Sequence, residues 1–243
     1  VAAEFLAWLA VSPHASWLDV GCGSGALSEA ILASAQPATV DGIDTSAGFV
    51  EYARARVADP RVRFTVADAQ QLPPPDASKD AIVSGLVLNF VPRPETALAE
   101  MARVATPGGL VAAYVWDYAD RMQLMRYFWD AAVAIDPTAA ALDEGRRFPL
   151  CQPAALEALW RATGLQRVEV RPIDVPTRFE NFDDYWAPFL GGQGPAPGFA
   201  MRLSESLRAR LRDQIRATLP IAADGSIALV ARAWAVRGRR GPS

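Results

Sequence analysis

The stretch WLDVGCGSGALSEAI, from Trp17 to Ile31, narrows the possible folds more than any other feature of this chain. Residues that lean apolar run into glycines at 21, 23 and 25, after which Ala26, Leu27, Ala30 and Ile31 recur at helical spacing. The order is strand, tight turn, helix, an arrangement in which bare backbone and helix-start N–H groups can meet a ligand.

The same alternation continues downstream. Trp17 to Val20 reads as a first strand, followed by a helix over about 25 to 34. Thr39 to Asp44 reads as a second, followed by a helix with Phe49, Val50 and Ala53 on its inner side. Val62 to Ala67 is a third strand, and Ala81 to Ser84 begins a fourth. A helix near 95 to 104 leads through Pro107-Gly108-Gly109 into a fifth strand, Leu110 to Trp116. This order predicts a doubly wound α/β fold, a parallel sheet with helices on both faces. Ahead of it, Ala2, Phe5, Leu6 and Leu9 share one face of a short helix that ends before Pro13.

After Trp116 the pattern changes. Met122, Met125, Phe128, Trp129, Ala132 and Val133 form an apolar helical stripe, and 138 to 150 reads as irregular. Pro153 and Gly164 bracket a helix, and Val168 to Val175 reads as a strand. An aromatic helical stretch covers 181 to 189, and GGQGPAP (191 to 197) reads either as a gate or as an ordinary surface loop. Ser204 is expected to cap a helix with Leu207, Leu211 and Ile215 inward and arginines on a solvated face. Asp224-Gly225 signals the turn before a last strand, Ile227 to Val236, and the tail RGRRGPS is expected to be disordered.

A 51% hydrophobic content supports a substantial core, while a net charge of −3 provides no field to gather nucleic acid or an anionic membrane. Two cysteines without a CxxC pair, and a single histidine, argue against a structural metal or a disulfide framework and fit a reduced cytoplasmic setting. Apolar stretches break well before the ~20 residues of a membrane span.

The glycines alone leave two ligand classes open, because Gly21, Gly23 and Ala26 also satisfy the G-x-G-x-x-A form of the dinucleotide fingerprint. Acids at three successive strand ends narrow the choice. Asp19 stands two residues before the first glycine, where a carboxylate opposes a pyrophosphate but suits an ammonium group. Asp44, in VDGIDTS, can accept from both ribose hydroxyls and would repel a 2′-phosphate. Asp68, in FTVADAQQLP, can accept from an exocyclic adenine amine while the Ala69 N–H faces a ring nitrogen.

With WLDVGCGSG, VDGIDTS, VADAQQLP, DAIVSGLVLNFVP and ATPGGLV in order over about residues 15 to 116, the chain resembles the class I S-adenosylmethionine-dependent methyltransferases. The likeness is strongest to small-molecule enzymes such as those of quinone biosynthesis. The resemblance implies S-adenosyl-L-methionine as cofactor, held by Asp19, Gly21, Cys22, Gly23 and Gly25 around the methionine moiety. It places Asp44 at the ribose, Asp68 and Ala69 at the adenine, and the backbone near Leu86 at the amino group, with Thr45 also among the cofactor-binding residues. It also implies a mostly parallel, seven-stranded Rossmann-like sheet whose last strand runs antiparallel between the fifth and sixth. A single domain is expected, with its core at about 11 to 116, 151 to 179 and 225 to 237. Insertions at 117 to 150 and 180 to 224 are expected to form a helical cap.

The expected activity is methyl transfer to a small, apolar or aromatic molecule, because rings such as Phe128, Trp129, Tyr185 and Trp186 concentrate in those insertions. The alternatives are an NAD-linked oxidoreductase and a non-catalytic cofactor-binding module. Positioning alone can supply roughly 7–11 kcal/mol and a base adds about 10²–10⁴-fold, so a base is optional. The candidates for substrate handling are Asn89, at the end of strand four, and Asp117 and Tyr118, just past strand five. His14 precedes the first strand, away from the glycine turn, and is expected to be structural.

Overall fold

The computed structural model describes residues 1–191 and 194–242. The chain begins with α1 (Ala2–Leu9), β1 (Ser16–Val20), α2 (Ala26–Ser34), β2 (Thr39–Asp44), α3 (Ala47–Arg56) and β3 (Val62–Val66). It continues through β4 (Lys79–Gly85), α4 (Pro94–Val104), β5 (Ala105–Trp116), α5 (Gln123–Ile135), α6 (Glu144–Arg147) and α7 (Pro153–Ala162). The remaining elements are β6 (Gln166–Phe179), α8 (Phe182–Trp186), α9 (Pro195–Arg202), α10 (Glu205–Thr218) and β7 (Ile227–Arg239).

The strands form one seven-stranded sheet in the order β3-β2-β1-β4-β5-β7-β6. Strands β1 to β5 pair in parallel, and β7 runs antiparallel. Gly108 N donates to Arg240 O and Arg240 N to Gly109 O, so two residues oppose one in a glycine-led bulge, with Gly108 at φ +76°. Strand order reverses between β1 and β4, which in an open α/β sheet marks the ligand crevice at the strands' carboxyl ends.

Two compact units emerge: 1–115, 152–173 and 234–243 in the first, 116–151 and 174–233 in the second. The first holds the parallel core. Leu18, Val20, Ile82, Val83, Val111 and Ala113 are buried along strands covered on both faces. Phe5 of α1 meets the Tyr114 ring edge-on at 4.8 Å, so α1 is part of this core. Trp160 of α7 donates its ring N–H to Val111 O at 3.1 Å.

Three sequence expectations change here. Residues 237–239 belong to β7, and Arg237 pairs with Glu169 while donating to Trp8 O, so the start of the tail is ordered. A long β6 partner and the cation–π contact of Arg237 with Trp8, at 4.6 Å, supply an order that local composition does not signal. Phe49 does not join the inner side of α3. The buried stripe is Val50, Ala53 and Val57, and Phe49 is 54% exposed. Of the stretch read as a gate or a loop, Gly192 and Gln193 lie outside the described residues, and Pro195 onward is helical as α9.

The second unit builds a core of its own from rings. Phe128, Trp129, Phe182, Tyr185, Trp186, Phe189 and Phe199 are buried together. Phe128 stacks on Phe189 at 4.5 Å, and the Tyr185 hydroxyl donates to Leu124 O. The rings expected to face a substrate therefore face one another, because a helical unit must first bury its own apolar stripes. Ser204 caps α10 by accepting from Leu207 N, and Leu211 and Ile215 point inward, but Leu207 is exposed. The arginine side of α10 is not merely solvated. Arg216 and Arg212 lie over the Phe182 ring at 4.3 and 5.5 Å, and Arg208 donates to Ala200 O and Leu203 O.

Candidate functional site

The turn after β1 is shaped by backbone that only glycine adopts without strain. Gly21 has φ +74°, and a Cβ there would lie 2.5 Å from both Val87 methyl carbons. Gly23 has φ +52°, and a Cβ there would meet nothing within 4 Å. The first is closed by packing, and the second is open on its outer side. Gly21 N and Cys22 N both donate to Ile43 O at 2.8 Å, tying the turn to β2.

Asp44, at the end of β2, clamps the turn from the side. Its Oδ2 accepts from Gly23 N at 3.0 Å and its Oδ1 from Ser46 N at 2.8 Å. In a dinucleotide fold the second glycine lets the backbone approach the pyrophosphate. Here the Gly23 N–H is already engaged by a carboxylate, which would also repel a diphosphate.

Asp19 closes the other route for an anion. Its Oδ2 accepts from the Ser28 hydroxyl at 2.7 Å, and the Ser28 backbone N–H also donates to it. Ser28 is the third residue of α2, so the protein's own carboxylate already meets the positive end of that helix. Asp19 is only 1% exposed and its Oδ1 has no partner. Burial pushes its carboxyl up to about 6, with the neighbouring charge of Asp44 adding to the rise. Burial beside the same two acids pushes the Cys22 thiol up, and Asp19 adds to burial at the Tyr114 hydroxyl. The site is therefore built to be relieved by a cation.

A cavity of about 480 Å³ opens at these strand ends, lined among others by Gly21, Asp44, Thr45, Asp68 and Ala69. Its size is that of a small-ligand site. Asp68 is exposed and accepts from Gln70 N at 2.8 Å and from the Gln70 side-chain amide. The apolar wall consists of Phe49, Val87, Phe90, Val91 and Pro92. Phe90 is 60% exposed, like Phe49 a large ring on the surface at the cavity. Sequence reasoning missed these two. The available signal was that Phe49 falls off the i, i+3, i+7 stripe of Val50, Ala53 and Val57.

Other expected contacts fall elsewhere. Cys22 turns its side chain into an apolar cluster with Val50, Ala53, Val57 and Phe64, so it packs the turn from behind. Gly25 sits at the start of α2 against Phe64, Val57 and Ala53. Leu86 has φ +62° and donates its N–H to Tyr114 O at 2.7 Å, so a role toward an ammonium group falls to its carbonyl. Asn89 lies in a 3₁₀ turn over Leu88–Phe90, with its Oδ1 buried and unpartnered.

In the second unit, Asp117 is buried and caps its own turn, accepting from Asp120 N and Arg121 N. Burial raises its carboxyl above the usual range. Tyr118 packs against Phe148, and burial pushes its hydroxyl up to about 12. Tyr118 therefore keeps its proton at neutral pH, and the Asp117 carboxylate is taken up by its own turn. His14 donates its backbone N–H to Gln36 O and lines a different cavity, with Asp80 and Pro107. Among the described residues, no three His, Cys, Asp or Glu side chains gather as a metal site, and no helix is long and apolar enough to cross a membrane.

The orphaned Asp19 oxygen and the Gly23 N–H already engaged by Asp44 suit a ligand that carries a cation rather than a diphosphate. A family model described as a methyltransferase domain matches residues 18–113. Over those residues the chain carries a domain of the class I S-adenosyl-L-methionine-dependent methyltransferase type, a family whose methyl donor is S-adenosyl-L-methionine.

Among its relatives is a trans-aconitate 2-methyltransferase of Methylobacterium radiotolerans, 34% identical over 66% of this chain and 65% of that protein. A 2-methyl-6-phytyl-1,4-hydroquinone methyltransferase of Synechocystis is 31% identical over 75% of this chain and 57% of its own length. The chain spans less than two thirds of either relative. The solved YcgJ protein of Bacillus subtilis superposes with a TM-score of 0.65 at 19% identity, covering 100% of this chain and 99% of that one, which shows a common fold.

Proposed function

We propose that this chain transfers a methyl group from S-adenosyl-L-methionine to a small apolar or aromatic molecule, chiefly by positioning the reactants in a dry site. The observation that carries the cofactor half is the buried Asp19 carboxylate with one oxygen unpartnered beneath the glycine turn. Bound there, the cofactor supplies a sulfonium methyl that is already activated for displacement. Asp19 and the Leu86 carbonyl hold the amino group, Asp44 orients the ribose, and Asp68 with Ala69 reads the adenine edge. Phe49 and Phe90 exclude water from the adenine side. These groups fix the methyl carbon, and fixing it in line with a nucleophile is where roughly 7–11 kcal/mol is available.

No general base is assigned. Asp117 is engaged in its turn, Tyr118 holds its proton, and Asn89 is a hydrogen-bonding group that positions rather than deprotonates. The acceptor class rests on charge. In the second unit Arg126 is held by both oxygens of Asp143 and by Asp130, which leaves it poorly placed for a tricarboxylate such as the one in the Methylobacterium relative's name. A hydroquinone, as in the Synechocystis relative's name, needs no cation. The buried rings of the second unit give no support for either acceptor.

The test is to incubate the protein with methyl-labelled S-adenosyl-L-methionine and two acceptor panels, hydroquinones with phenols and di- with tricarboxylic acids. Label in the aromatic panel is expected. Label only in the acids overturns the acceptor class, and binding of NADH without S-adenosylhomocysteine overturns the reading altogether.

A further inference from the structure

The Asp19–Ser28 pair does more than a helix cap requires. A cap needs one acceptor oxygen, and Asp19 provides Oδ2 to the Ser28 hydroxyl and backbone N–H. Oδ1 then remains buried with no partner. Leaving a charged acceptor unsatisfied at this depth costs more than leaving a neutral one, so the empty chain keeps the acid form to a higher pH than a solvated carboxyl would. Burial and Asp44 push the group toward its acid form, while the two Ser28 bonds oppose them by favouring the carboxylate. Ser28 of α2 is neutral, Asp44 at the end of β2 is a like charge, and Cys22 in the turn and Tyr114 on β5 are thiol and phenol with their protons on. A cation is the missing component.

We propose that Ser28 is a positioning residue which holds Asp19 by one oxygen, keeps the other open, and makes binding of a cationic ligand expel a proton from Asp19. The balance is simple. The Asp19 carboxylic acid meets the ligand's ammonium group, the carboxylate–ammonium pair forms, and one proton leaves to the buffer. No bond to carbon forms or breaks. Ligand binding is thus linked to pH: it weakens as pH falls through the range in which Asp19 gains its proton. This inference rests on the cofactor reading above, and goes beyond it by assigning a proton to the empty site and a role to Ser28.

The experiment is calorimetric titration of S-adenosylhomocysteine into the full chain at about pH 6 and about pH 8, each in two buffers of different ionisation enthalpy. About half a proton is expected to be released per ligand at the lower pH and almost none at the higher. Asp19→Asn should abolish the difference, and Ser28→Ala, which removes a bond favouring the carboxylate, should shift release to higher pH. If the ligand binds and the proton count is the same at both pH values, or survives in Asp19→Asn, the proton linkage is wrong while the cofactor reading stands. A water bridging Oδ1 would give that result. No binding at either pH overturns both. Should Ser28→Ala not fold, the Asp19→Asn arm and the parent chain still decide.

Discussion

Replacing Asp44 by alanine puts the two ligand classes in opposition within one site. The carboxylate accepts from Gly23 N at 3.0 Å and Ser46 N at 2.8 Å, and in the proposed complex the same oxygens also accept from the ribose hydroxyls. Losing hydrogen bonds to a charged acceptor costs about 1.5–3 kcal/mol. At about 1.4 kcal/mol per tenfold, affinity for S-adenosylhomocysteine should fall roughly 10- to 150-fold. The same change frees the Gly23 N–H and removes a negative charge from the turn, so affinity for NADH should hold or rise. Calorimetric titration of both ligands against parent and variant reads the two numbers directly. Asp44→Asn is the companion variant, since its amide keeps the volume but sets an N–H₂ group against a backbone donor. Thermal melting checks that each variant is folded at the titration temperature. Undiminished S-adenosylhomocysteine affinity, or a parallel loss for both ligands, would refute the ribose assignment.

Asp19→Asn should stabilise the cofactor-free chain while weakening ligand binding. The Asp19 carboxyl is raised from 3.8 to about 6 on folding, so its favourable contribution exists below that window and is lost as pH rises through it. The variant should therefore gain up to about 3 kcal/mol above the window and nothing below it, and denaturant unfolding at both ends that shows no gain at neutral pH counts against a desolvated carboxylate. Gly21→Ala should destabilise by about 2–5 kcal/mol, from a left-handed alanine and a Cβ forced onto Val87. The double variant with Val87→Ala should recover the packing part, and strictly additive losses would mean the contact is not the cause. His14→Asn, which tolerates the left-handed backbone at that position, should leave the methylation rate within a few-fold. A hundredfold loss would place His14 in the chemistry, where rate effects of roughly that size arise.

Much of this molecule could be read in one dimension because the groups proposed to face the ligand sit at strand ends. In a parallel sheet those ends share one rim, so Asp19, Asp44 and Asp68 could be grouped from their places after three short apolar runs. Strand β2, Thr39–Asp44, carries its meaning in its own residues in this way. The glycines likewise announced a tight turn, and Gly21, Gly23 and Gly25 all take positive φ there.

The partners of those groups were not legible. That Gly23 N–H is engaged by Asp44, or that Ser28 takes one oxygen of Asp19 and leaves the other bare, depends on approaches between residues 21 and 9 positions apart. No local pattern encodes such distances. The rings of the second unit show the same limit, since helical spacing reveals an apolar stripe but not whether it meets a ligand or another stripe. Phe128 met Phe189.

The amino-acid order by itself determined the alternation of strands and helices, the ligand-bearing turn and the three acids, because periodicity and backbone freedom are properties of short segments. Tertiary structure alone decided that Phe49 faces the cavity rather than the core, and that Asp19 is buried with an oxygen to offer. Burial and partnership are set by what the rest of the chain brings near, and they convert an ordinary carboxylate into one that awaits a cation.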